Sequence, residues 1–209
     1  MPVGAQALFD WHARPGAFER LAPPWETLRV VERVGTIHDG DRLAFEVVKG
    51  SLRIHWRARH EALVPGRQFR DVQEAGPFRT WRHTHRTEPE GPDVSRLVDE
   101  VAWEVPGERL IGWAAAPLVS RLLARMFAFR HARTRHDVAC HARHAAMPRL
   151  AVAVAPLGDE LAMEVAAFLA TGGHHVAALD AAGTSRGSPR SSTSSPGAPD
   201  AASPTRATG

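Results

Sequence analysis

Between Leu52 and Ala62 the chain alternates without a break, with Leu52, Ile54, Trp56, Ala58, His60 and Ala62 on one side and Arg53, His55, Arg57, Arg59 and Glu61 on the other. A helical period would mix these two sets. Only a strand with one packed and one wet face keeps them apart, and such strands belong to antiparallel sheets covered on a single side.

The flanking segments extend the same pattern. Leu28, Val30 and Val34 suggest a strand upstream, and Leu43, Phe45 and Val47 another, joined through the turn residues Asp39, Gly40 and Asp41. Gly50 and Ser51 turn the chain into the alternating run. Pro65 and Gly66 lead to Gln68 to Gln73, Gly76 and Pro77 to Phe78 to Thr87, and a loop through Pro89, Gly91 and Pro92 to Val94 to Val105. Short turns between consecutive strands make an antiparallel meander with no crossover helix. Before it, Phe9 to Trp25 reads as short helices and turns, broken by Pro15, Gly16, Pro23 and Pro24, and is expected to act as a cap and not as core.

From about Pro117 to Cys140 the period becomes helical. Leu118, Leu122, Met126 and Phe129 recur at spacings of three and four, and Val119, Leu123 and Phe127 widen the stripe. A stripe that wide needs a partner, and the open face of the sheet is the one at hand. The expected fold class is α+β, a curved antiparallel sheet gripping one long C-terminal helix. Leu150 to Val154, a helical stretch through Leu161, Val165, Phe168 and Leu169, and His175 to Leu179 outline a β-α-β unit. From Ala181 onward Ser, Pro, Gly, Thr and Ala dominate, a composition expected to stay disordered because little apolar surface can offset the ordering entropy.

Composition narrows the function classes. Cys140 is the single cysteine, which excludes internal disulfides and cysteine-rich zinc sites. No apolar run approaches the roughly 20 residues of a membrane span, and Met1 to Phe9 does not resemble a signal peptide. A cytoplasmic protein without a membrane span is the default expectation. The pI near 10.2 is high, yet the formal charge is only +3 and the arginines are interleaved with Asp and Glu. With no phosphate-binding stripe, no nucleic-acid partner is expected.

The segments FDWHARPGAFERLAPPW (Phe9 to Trp25), RIHWRARHEALVPGRQFRDVQEAGPFRTWRHTH (Arg53 to His85), LVDEVAWEVP (Leu97 to Pro106) and MFAFRHARTRHDV (Met126 to Val138) together resemble a START-like domain. This is the SRPBCC, or polyketide cyclase/dehydrase, superfamily, in the form found at the N-terminus of bacterial NAD-dependent epimerase-like proteins. The resemblance implies a helix-grip fold enclosing an apolar cavity over residues 1–145. It further implies that residues 149–180 are the remnant of a Rossmann-like unit, followed by a tail over residues 181–209. Aligned on Phe168 and Gly172, Pro156, Asp159 and Ala162 stand where the three fingerprint glycines would be. Proline removes a donor and Asp159 places negative charge where a pyrophosphate would sit, so no dinucleotide cofactor is expected. Helix-grip domains usually open with a strand, but only eight residues precede Phe9. That strand is expected to be short or missing, leaving Val94 to Val105 with an exposed edge; a misassigned start codon explains the departure equally well.

The aromatic residues Phe45, Trp56, Phe69, Trp81 and Trp103, with Met126 from the helix, are candidates to line a ligand cavity, against plain core packing as the alternative. His60, Asp71, His83 and His85 are polar groups within these strands. They could orient a polar head group, or His60, Asp71 and His83 could act in proton transfer, but hydrogen-bonded histidines at a sheet edge or on the wet face account for them more simply. His83 and His85 share a strand face without an identifiable third ligand, so no metal is expected. His131, His136, His141 and His144 read as a solvated helical surface. The favoured function is non-catalytic binding of an apolar or amphipathic small molecule. The alternatives are a cyclase/dehydratase-type enzyme, or an accessory or vestigial half of an epimerase-like oxidoreductase that pairs with a separate Rossmann-domain partner protein.

Overall fold

The computed structural model describes residues 1–107, 109–180, 182 and 184. Two short helices, α1 (Ala5–Ala13) and α2 (Ala17–Arg20), precede six strands: β1 (Thr27–Val34), β2 (Arg42–Lys49), β3 (Leu52–Val64), β4 (Gln68–Ala75), β5 (Thr80–Gly91) and β6 (Val94–Glu104). These form one sheet in sequence order, and every neighbouring pair is antiparallel. The meander follows from the short turns at the Gly and Pro positions. The long helix α3 (Arg109–Arg143) comes next, then β7 (Ala151–Val154), α4 (Glu160–Thr171) and β8 (His175–Ala178). The disorder expected of residues 181–209 falls outside the described residues, save 182 and 184. Among the described residues no helix is long and apolar enough to cross a membrane.

The N-terminal helices are not merely a cap. Leu8 and Trp11 are almost completely buried and form a core cluster with Val3, Ala17, Leu97 and Val138, while Phe9 packs with Ile37 and Phe69. Proline and glycine end these helices early but do not stop each short piece from burying a face. The β6 edge is partly covered as well. Ser95 donates its backbone N–H to the Met1 carbonyl and its hydroxyl to the Val3 carbonyl, so the first residues pair with β6 in place of a full strand.

Helix α3 also departs from its expected packing. Its C-terminal half is anchored through the buried Thr134, Asp137 and Val138, whereas Leu118 and Leu122 on the expected buried stripe are 63% and 53% exposed. Among the strands and helices that α3 touches are α1 and β6. Leu122, Leu123 and Met126 face a space and not a packed layer.

β7 and β8 pair in parallel across α4. This unit is fixed to the rest by Arg20, whose guanidinium donates to both carboxylate oxygens of Asp137 at 2.7 and 2.8 Å and also to Glu164 on α4. The turn before α2 approaches α4 so closely that a Cβ on Gly16 would lie 2.7 Å from the Ala167 carbonyl oxygen, and Gly16 has φ +89°. Only glycine is free to take that backbone shape at that distance.

Candidate functional site

The register sets the site out row by row. Across β4, β5 and β6, Phe69 lies opposite His85 and His85 opposite Asp99. One row along, His60 of β3 faces Asp71 of β4, and Asp71 faces His83 of β5. Because strand side chains alternate faces, Asp71 follows Phe69, His85 follows His83, and all of them point to the concave side.

A cavity of about 370 Å³ opens between this face and α3. Apolar residues line most of it, including Phe45, Ile54, Trp56, Trp81, Leu123 and Met126. Its volume falls in the range of small-molecule sites. Within it the Phe45 and Trp56 rings stack at 5.8 Å, and Trp56 meets Trp81 edge to face at 5.1 Å. One group of polar side chains in the wall is formed by His12, His60, Asp71, His83, His85 and Arg130, while Glu26, Arg33, Lys49 and Arg125 are among the charged residues lining it elsewhere.

Asp71 and Asp99 hold the two histidines between them. His83 Nδ1 lies 3.1 Å and His85 Nε2 3.5 Å from Oδ1 of Asp71, while Trp81 donates its indole N–H to Oδ2 at 3.0 Å. On the far side Oδ1 of Asp99 is 3.0 Å from His83 Nε2 and 2.7 Å from His85 Nδ1, and Oδ2 is 2.5 Å from His131 Nε2. Burial alone would push the His85 imidazolium down, but the charges of Asp99 and Asp71 outweigh it and raise its pKa to about 9. Burial would likewise raise both carboxyls. The histidines hold Asp71 and Asp99 well below the usual carboxylate range instead.

The surrounding groups are tuned the other way. Burial, helped by the charge of His85, lowers His12 to about 4, so this ring is neutral near pH 7. His60 is also lowered by burial, and its Nδ1 is a buried polar atom without a hydrogen-bond partner. Arg130 is lowered by burial against the pull of Asp71 and Asp99, yet a guanidinium remains charged. The site therefore combines an apolar chamber with an ionised, tightly held polar cluster.

Of the residues expected to line a cavity, Phe45, Trp56, Phe69, Trp81 and Met126 do so, whereas Trp103 instead packs edge to face against Phe78. His60, Asp71 and His83 are brought together with His85. The two histidines of β5 are buried on the cavity face, in place of the sheet edge or wet face expected of them. Asp71 stands beside them as the third potential ligand that the strand sequence alone does not identify. Sequence reasoning missed Asp99, which is in phase with Leu97, Val101 and Trp103 on one face of β6. It also missed Arg130, four residues after Met126 on the helical stripe. His131 was expected on a solvated surface but engages Asp99, and His141 packs 4.6 Å from the Phe168 ring.

The β-α-β unit presents no comparable site for a dinucleotide. Asp159 is the N-cap of α4, and its carboxylate accepts the Ala162 amide at 2.8 Å. It thus fills the helix N-terminus with negative charge where phosphate oxygens would have to bind, and the residues present do not fit that cofactor.

The family model described as polyketide cyclase / dehydrase and lipid transport matches residues 1–130. The chain belongs to this family. No curated protein matches it. Among solved structures, a nucleoside-diphosphate sugar epimerase from Corynebacterium glutamicum is 26% identical with a TM-score of 0.71, over 91% of this chain and 39% of that one. This chain therefore spans well under half the length of that relative. The Zhui aromatase/cyclase from Streptomyces sp. R1128 shares the family fold at 15% identity and a TM-score of 0.55, covering 70% of this chain and 93% of that one. A protein from Thermus thermophilus shares it at 18% identity and a TM-score of 0.50, with coverage of 67% and 92%.

Proposed function

We propose that this protein binds a hydrophobic or amphipathic small molecule between its sheet and α3, without chemically altering it. The observation that supports this most is the cavity of about 370 Å³, walled by aromatic rings and holding a polar cluster. Exclusion of water from the apolar wall would supply most of the affinity. His83, His85, Asp71 and Arg130 would hold one polar head, so guests with a single oxygen-bearing end are preferred over pure hydrocarbons. Phe45, Trp56, Phe69, Trp81 and Met126 are the residues we assign to the apolar wall. We read residues 1–145 as the binding domain and residues 149–180 as a remnant of a nucleotide-binding unit, which could abut a separate Rossmann-domain partner.

Titration with an anilinonaphthalene sulfonate, which has an aromatic body and an anionic end, tests the reading. Saturable enhancement with one site per chain, weakened at least tenfold by Trp56→Ala in a folded protein, is expected. No saturable response, or the same affinity in the variant, refutes it.

A second reading rests on the buried His83–Asp71 contact at the cavity wall. In it His83 moves a proton on a bound polyketide-like substrate, with Asp71 and Asp99 fixing the ring. Turnover of a cyclisable substrate that disappears in His83→Ala would favour this enzyme over a carrier.

A further inference from the structure

We propose that Asp71, His83 and His85 form a binding site for a divalent metal of the zinc class, with its open position facing the cavity. The ligand atoms Asp71 Oδ1, His83 Nδ1 and His85 Nε2 lie within 4.8 Å of one another. Bonds of about 2.0–2.1 Å to a tetrahedral zinc place neighbouring donors roughly 3.3 Å apart. The carboxylate oxygen already stands 3.1 Å from the first imidazole nitrogen and 3.5 Å from the second. The two imidazole donors lie within 4.8 Å of each other, so binding needs at most a closing of that pair toward the same spacing.

What surrounds the donors matches what such a site needs. A ligating imidazole is oriented by a carboxylate on its other nitrogen; here Asp99 Oδ1 hydrogen-bonds His83 Nε2 at 3.0 Å, and the same oxygen lies 2.7 Å from His85 Nδ1, close but not aligned for a hydrogen bond. Trp81 anchors the non-ligating oxygen of Asp71, and His131 anchors the outer oxygen of Asp99. Donors and supports come from three adjacent strands and α3, rigid elements that preserve the spacing.

All three ligand residues line the cavity, but Asp99 does not, so the fourth position opens toward the chamber. An occupied site has three protein ligands and one exchangeable position, the pattern of zinc sites that engage other molecules. The charge balance suggests what fills it. With neutral imidazoles, the two carboxylates and Arg130 leave one net positive charge once a divalent ion is present. An anionic oxygen of a guest, such as a carboxylate or enolate, or a hydroxide, would neutralise it. Loading also removes the proton from His85, because a ligating nitrogen carries none. The site does not depend on the carrier reading, and the two fail separately, since apolar probe binding can persist without any metal.

The test uses untagged full-length protein stripped with chelator, reloaded with zinc alone and dialysed, with bound metal counted by mass spectrometry. One equivalent of zinc per chain is expected. Cobalt substitution should give the intense visible bands of a four-coordinate ion. Asp71→Asn and His85→Gln should lose the equivalent, Asp99→Asn should weaken affinity about 10–100-fold, and His55→Ala, 74% exposed and away from the site, should change nothing. Circular dichroism establishes that each variant is folded. If a variant does not fold, the wild-type stoichiometry and cobalt spectrum decide alone. A substoichiometric zinc content, a six-coordinate cobalt spectrum, or equal binding by folded Asp71→Asn overturns the proposal.

Discussion

Replacing Asp137 by alanine strips the Arg20 guanidinium of its bidentate partner inside the protein. Asp137 is fully buried and Arg20 is 6% exposed, with two contacts of 2.7 and 2.8 Å between them. Removing one member of such a pair leaves a desolvated charge and ordinarily destabilises by about 3–5 kcal/mol. Glu164, which is 39% exposed, still reaches Arg20 and compensates in part. The expected loss is therefore at the lower end, about 3 kcal/mol, or roughly a hundredfold in the unfolding constant. Urea unfolding followed by tryptophan fluorescence measures it, with the slope unchanged if the denatured state is unaffected. The double variant Arg20→Met/Asp137→Leu should recover most of the loss, because it leaves no unpaired charge. A loss below about 1 kcal/mol for Asp137→Ala, or a double variant as unstable as the single one, would show that this triad does not tie α2, α3 and α4 together as described.

Leu8→Ala should destabilise by about 3 kcal/mol, since Leu8 is 0% exposed at the centre of the α1 cluster; the same urea titration shows it, and a loss under about 1 kcal/mol would mean that α1 is only a cap. Burial holds His141 at about 4, below its ordinary 6.5. The unfolded chain then takes up a proton first, so this contribution to stability is complete above about pH 6.5 and is lost as pH falls toward 4; His141→Gln should flatten the stability profile in that window. Isothermal titration with NAD and NADP should show no micromolar binding, because Asp159 occupies the α4 N-terminus.

The meander was the most legible part of the chain. Period-two runs such as Leu52 to Ala62, separated by Gly and Pro turns, mark strands before any partner is known, although the pairing shifts past Glu61, where Ala62 takes φ +55°, and Leu52 on the expected packed side is exposed. What could not be read is which strands lie side by side at the polar cluster. His83, His85 and Asp71 each look like an interruption of an apolar face until the register places them together. Asp99 had a readable signal, being in phase with Leu97, Val101 and Trp103. Helix α3 misled because an apolar stripe marks only the side turned from water in a closed protein. Here its N-terminal half borders the cavity, and Leu118 and Leu122 stay exposed. The burial of α1 is a tertiary effect that nine residues bounded by glycine and arginine do not announce.

The most direct test of a guest-accommodating interior is a crystal structure of the protein soaked with a long-chain carboxylic acid. Density is expected between Trp56, Trp81 and Met126, with the acid end beside His83, His85 and Arg130. Helix α3 packed down onto the sheet, with Leu123 and Met126 filling the space and no density within, would contradict it.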